Sequence, residues 1–180
     1  MLHVALSRRL YRALSPKRIY EYVIARPKYV DAVFKKALAE QFDQILIFGA
    51  GFDTRGLRFK DAVQDTRLFE LDAPPIQEAK LSQYQDRHLA VLSNLVFVAI
   101  DSDRESVCFR LNESGSRKAR RGLFAIDGLL KYLQPESVDA AFRTIQEYAA
   151  SQSWVTLTVF THRYCELRTS ITKNRKFWQQ

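Results

Sequence analysis

The sequence predicts an α/β fold built on a mostly parallel sheet, and three observations carry that prediction. In the run Gln44-Ile-Leu-Ile-Phe-Gly-Ala-Gly51, Ile45 to Phe48 is a short, wholly apolar strand broken at once by two glycines. Four further apolar runs of strand length follow, separated by polar or helical stretches, as repeated β-α units require. Three of them end in a carboxylate, at Asp72, Asp101 and Asp127.

Each element has its own justification. Before the first strand, Pro27 and the helically spaced Tyr29, Val30, Val33, Phe34, Ala37 and Leu38 predict an amphipathic helix with the proline at its start. Ile45 to Phe48 is too short and too apolar for a surface helix and ends in a bend where Gly49 and Gly51 allow close backbone approach. Thr54 stands where the dinucleotide pattern G-x-G-x-x-G needs its third glycine, so the run by itself is also compatible with a tight turn that binds nothing. Arg67 to Pro74 reads as the second strand, with Glu70 and Asp72 two residues apart and pointing the same way. A helix over Ile76 to Leu81, reaching toward Tyr84, follows the entry prolines 74 and 75. Leu95 to Asp101 is the third strand; the stretch to Arg121 is ambiguous, with Val107 to Leu111 either a short extension or part of a helix and Asn112 to Arg121 a loop. Gly122 to Asp127 is the fourth strand. Pro135, Glu136 and the spaced Val138, Ala141, Phe142, Ile145 and Tyr148 predict a helix, and Trp154 to Phe160 has the strongest β propensity of all.

Parallel strands bring their carboxyl ends to one sheet edge, so Gly49, Gly51, Asp72, Asp101 and Asp127 are expected to line one crevice although they are far apart in sequence. Any one of these acids could be a helix cap or a solvated loop group. Their recurrence at strand ends, after an opening strand that ends in glycines, favours a ligand cleft.

Composition bounds the remaining classes. The length suits one domain with a sizeable core, divided into a basic lead-in over 1–21, an α/β domain over 22–160 and a basic tail over 161–180. No run approaches the roughly twenty apolar residues of a membrane-spanning helix. Cys108 and Cys165 lack metal-ligand spacing, and His3, His88 and His162 are scattered, so no metal site is expected. The formal charge of +8 is peripheral: residues 1–20 hold five basic and no acidic side chains, residues 117–121 hold four basic ones, and residues 161–180 hold five against one acid. Basic patches can attract nucleic acid, but no recognition module accompanies Arg117-Lys-Ala-Arg-Arg121, which reads as a solvated loop. The expected location is cytoplasmic, although the acid-poor start from Met1 to Arg12 has the composition of an organellar targeting helix.

The strings Arg26-Pro-Lys-Tyr-Val-Asp31, Phe48-Gly-Ala-Gly-Phe-Asp-Thr-Arg55, Phe69-Glu-Leu-Asp-Ala-Pro74 with Gln77 and Lys80, and Asp127-Gly-Leu-Leu-Lys-Tyr-Leu133 occur in order. Together they resemble the leucine carboxyl methyltransferase family and its bacterial S-adenosylmethionine-dependent O-methyltransferase relatives, over about residues 22–160.

The resemblance implies a class I methyltransferase (Rossmann-like) sheet with flanking helices and S-adenosylmethionine as cofactor. It implies that Arg26 lies beside the methionine carboxylate, that Gly49 and Gly51 pass close to the cofactor, that Asp72 holds the ribose hydroxyls, and that Asp101 and Ser102 stand near the adenine. Asp127 occupies a position where the family has glutamate, near the amino-acid part of the cofactor, with a reach shorter by one methylene; a retained but looser contact is expected. The family is longer, and its full sheet needs two strands beyond the fifth, so the sheet is expected to be incomplete. The expected function is methyl transfer to a carboxylate or hydroxyl acceptor, either a small molecule or a protein carboxylate. The alternative is a truncated, inactive homologue that retains cofactor binding or acts through protein association, with dimerisation or a completing partner covering the fifth strand. A nicotinamide oxidoreductase conflicts with the glycine spacing.

Overall fold

A computed structural model describes residues 19–101, 104–159 and 169–170. Its chain order is α1 (Ile19–Ala39), β1 (Gln44–Phe48), two single-turn helices α2 (Arg55–Arg58) and α3 (Lys60–Val63), β2 (Arg67–Asp72), α4 (Pro74–Asp86), β3 (Leu95–Ala99), α5 (Val107–Glu113), β4 (Gly122–Asp127), a 3-10 turn (Leu130–Tyr132), α6 (Pro135–Tyr148), β5 (Trp154–Thr158) and the two-residue β6 (Thr169–Ser170). The sheet order is β3-β2-β1-β4-β5-β6. The first five strands are parallel, and β6 runs antiparallel along Val155 and Thr156 of β5.

The period of two along each strand divides the core into two layers. Ile45, Ile47, Leu68, Leu123 and Ala125 pack under Phe34, Ala37 and Leu38 of α1. Leu46, Phe48, Phe69, Leu71, Phe124 and Ile126 face the other way, toward Leu111 of α5 and Ala141, Ile145 and Tyr148 of α6. β1 is buried along its whole length because it is covered on both faces and paired on both sides.

Two helical expectations are corrected, and a third, left open, is decided. Pro27 lies inside α1, not at its start. A proline there forfeits one backbone hydrogen bond, but Tyr22 is buried one turn earlier and Arg26 is ion-paired to the sheet, so tertiary contacts hold the helix through it. α4 spans Pro74–Asp86, longer than the apolar spacing suggests, because its inward face is made of Gln77, Lys80 and Tyr84. The ambiguous stretch after β3 contains a helix, α5, which starts where the Ser106 hydroxyl accepts from the Phe109 amide. The fifth strand ends at Thr158, and Phe160 lies outside the described residues.

Candidate functional site

The parallel register brings the expected cleft together. Phe48 pairs with both Leu71 and Ile126, so the next residues, Gly49, Asp72 and Asp127, stand level across three adjacent strands. β1 is the strand from which the connections diverge to either side, and its carboxyl end is where open parallel sheets bind ligands. The bend after β1 takes Gly49 to φ +63° and Gly51 to φ +49°. The Gly51 amide donates to Asp72 Oδ2 at 2.6 Å, and the Ala73 amide donates to Oδ1 at 2.7 Å. A Cβ on Gly49 would lie 2.7 Å from Cδ1 of Leu129, whose side chain rests on that bend. Asp101 lies just past the end of β3, its carboxylate half-exposed and 3.5 Å from Arg104 Nε. Ser102 lies outside the described residues.

Alternation along β2 and β4 turns Asp72 and Asp127 toward the α1 face, and there Asp127 joins a group of ion pairs that individual motifs do not reveal. Arg55 is buried; its Nε donates to Asp31 Oδ1 at 2.8 Å, its Nη1 donates to Asp53 Oδ2, and its Nη2 lies 3.5 Å from Asp127 Oδ2. Arg58 donates to both oxygens of Asp31, at 2.6 and 2.9 Å. These contacts hold the Asp31 carboxyl below its usual range, the Arg58 hydrogen bond being the largest cause. Arg26 completes the group: its Nε lies 3.1 Å from Asp127 Oδ1, an ion-pair distance without hydrogen-bond alignment. Three arginines and three aspartates thus join α1, the glycine bend and the end of β4.

Glu70 has a supporting place. It is completely buried on the same face as Asp72 and accepts from Lys80 Nζ, itself 2 % exposed. Gln77 Nε2 donates to the Glu70 backbone carbonyl at 2.7 Å. Burial pushes the Glu70 carboxyl up to about 7 against the opposing pull of Lys80. Burial, reinforced by the charges of Glu70 and Asp53, raises Tyr84 to about 12. The pair pins α4 beneath the segment that carries Asp72.

The sequence motifs contained Asp31, Asp53 and Arg55 but gave them no role. The signal was present, since the acid of the first string and the arginine of the second flank one cleft, yet only the fold shows that they touch. A cavity of about 410 Å³ opens at the opposite sheet edge, among Gln41, Asp43, Gln44, Arg67, Arg117 and Arg120. It lies at the amino ends of β1 and β2, away from the converging glycines and acids, and is not the cleft described here. Among the described residues, no group of three or more His, Cys, Asp or Glu side chains could hold a metal ion, and no helix is long and apolar enough to cross a membrane.

Comparison with known proteins agrees with this geometry. The family model for leucine carboxyl methyltransferase matches residues 5–146. The chain belongs to the leucine carboxyl methyltransferase family. A Streptomyces coelicolor relative described as an S-adenosyl-L-methionine-dependent methyltransferase is 31 % identical over 137 residues, covering 76 % of this chain and 48 % of its own length. A Mycobacterium tuberculosis relative with the same description is 30 % identical over 152 residues, covering 84 % of this chain and 46 % of its own. The chain therefore spans about half the length of the curated relatives it matches. Among solved structures, one described as a methyltransferase from Thermobifida fusca superposes with a TM-score of 0.64 at 18 % identity, over 87 % of this chain and 59 % of that one. That likeness shows the class I, Rossmann-like fold.

Proposed function

We propose that this chain binds S-adenosylmethionine at the carboxyl edge of its sheet and serves methyl transfer to a carboxylate or hydroxyl acceptor, on a small molecule or a protein. The observation that carries the reading is the Gly51 amide bonded to Asp72 at the end of the central strand pair. It fixes the glycine bend and a carboxylate side by side. Each Asp72 oxygen accepts one backbone N–H, and an ionised carboxylate has about four acceptor sites. Capacity remains for the two hydroxyl donors of a ribose.

The other groups fit the same ligand in order along the edge. Asp101, half-exposed at the end of β3, offers an acceptor on the adenine side, with Ser102 next to it in sequence. Gly49 and Gly51 keep the bend low enough for close approach. Arg26 and Asp127 stand at the far side of β1, where the amino-acid end of the cofactor would reach.

When bound, S-adenosylmethionine supplies an activated methyl group on a sulfonium that is its own leaving group. The work left to the chain is to orient, and positioning is worth several kcal/mol in such reactions. A carboxylate acceptor has no proton to lose at neutral pH and needs no base, whereas a hydroxyl acceptor must give its proton to one; no catalytic side chain is assigned.

Calorimetric titration of the protein with S-adenosylmethionine, S-adenosylhomocysteine and NAD tests the reading. Binding of the first two and not of NAD is expected, with Asp72→Ala weakening both by about ten-fold or more. Wild-type protein that binds neither adenosyl compound would refute it. A methyl-transfer assay beside a full-length relative then separates turnover from binding alone.

A further inference from the structure

In a cleft that accepts a zwitterionic amino acid, an acid at the end of β4 has an obvious use as a partner for the ligand's ammonium. Asp127 already has other charged neighbours. Its Oδ1 accepts from Thr158 Oγ1 at 2.8 Å and lies 3.1 Å from Arg26 Nε, while its Oδ2 lies 3.5 Å from Arg55 Nη2. Two guanidinium groups and a hydroxyl therefore surround a carboxylate whose side chain is only 13 % exposed. Thr158 is fixed in turn, because its oxygen accepts from the Gly128 amide at 2.8 Å.

The Arg26 side is built with equal care. Its guanidinium lies over Gly128, where a Cβ would meet Nη1 at 2.8 Å, and Gly128 has φ +74°. The side chain also packs against the Tyr22 ring, 5.7 Å from the ring centroid. Arg26 is the more exposed partner, at 31 % against 13 % for Asp127, with its Nε toward the carboxylate and its Nη1 and Nη2 over Gly128. A charge shielded by two arginines has little field left for an ammonium in front of them.

We propose that Asp127 is a positioning residue: it does not contact the ligand's ammonium but holds Arg26, over Gly128, in the orientation that receives the ligand's carboxylate. The inference rests on the proposed cofactor reading and assigns the recognition of the amino-acid end to one guanidinium and its mount. The selectivity it builds is for a carboxylate, with the amine read weakly or by water.

A double-mutant cycle on ligand binding tests it, using Arg26→Ala, Asp127→Asn and the double variant. Three ligands are compared: S-adenosylhomocysteine, its decarboxylated analogue, which keeps the amine, and 5′-methylthioadenosine, which has neither group. Each single variant is expected to weaken S-adenosylhomocysteine by about ten- to a hundred-fold, the range for a charge-assisted pair, and the double variant by no more than either single. Affinity for the other two ligands is expected to stay unchanged. Gly128→Ala, whose Cβ would lie 2.8 Å from Arg26 Nη1, should reproduce the Arg26→Ala pattern and keeps the test readable if Asp127→Asn fails to fold. Additive losses, or an Asp127→Asn loss as large for the decarboxylated analogue, would show that Asp127 reads the amine and overturn the proposal. Equal weakening of 5′-methylthioadenosine would show a merely structural role and overturn it as well. Wild-type protein that binds none of the three overturns the cofactor reading itself, and this inference with it.

Discussion

Replacing Lys80 by methionine isolates the energetics beneath the cleft. The methionine keeps most of the stem volume and removes the cation that hydrogen-bonds the buried Glu70 carboxylate. Burial has already moved Glu70 from 4.5 to about 7. A group whose folded value is raised contributes stability that is fully present below its unfolded value and is lost as pH rises through the folded one. Here the window runs from 4.5 to about 7 in the parent, a loss of about 3 kcal/mol on the alkaline side. Lys80 pulls the value down, so without it the window extends upward. At about pH 6, Glu70 is mostly protonated in both proteins and the titration part of the difference is near zero; at about pH 8.5 it grows to at most roughly 2 kcal/mol, beyond a pH-independent cost of about 1 kcal/mol for the lost hydrogen bond. Urea unfolding at the two pH values measures it, and Glu70→Leu/Lys80→Met should regain most of the loss because no charge then remains buried. A penalty equal at both pH values, or a double variant as unstable as the single, would refute the reasoning.

Three other outcomes are expected. Gly49→Ala puts a side chain at φ +63° against Leu129 and should lower stability by about 1–2 kcal/mol, read as a fall in thermal midpoint along with weaker S-adenosylhomocysteine binding. Arg55→Lys leaves one ammonium where a planar fork serves Asp31, Asp53 and Asp127; a loss of about 2–4 kcal/mol in urea unfolding is expected. Pro27→Ala returns an N–H to the interior of α1 and should raise stability by about 1–3 kcal/mol, with a small gain in helical circular dichroism; a loss would mean that the proline's own packing outweighs the missing bond.

The strands were legible because each is a short apolar run stopped by glycine or acid, and the crevice followed from the rule that parallel strands end on one side. Gly49, Gly51, Asp72 and Asp127 meet as that logic requires. The helices were less legible where tertiary structure overrides local preference. Pro27 reads as a helix start, but burial of Tyr22 and the Arg26 ion pair carry α1 through it. α4 shows little apolar periodicity because Gln77, Lys80 and Tyr84 are the residues it buries, against Glu70. The strings that carry the arginine–aspartate group were legible but its contacts were not, since Asp31 and Arg55 are joined only when α1 docks beside the glycine bend. For the same reason, the sequence did not show that Arg26, Arg55 and Thr158 gather around Asp127.

The level alignment of β1, β2 and β4 also constrains how this protein can change length. A single inserted residue within β4 would carry Asp127 to the opposite face, away from Arg26, and would break step with Gly49. Loops at the amino edge, around Asp65 or Arg117 to Arg120, lie far from that alignment and can lengthen or shorten without disturbing it. Natural variation in chain length should therefore gather at the edge that carries the polar cavity.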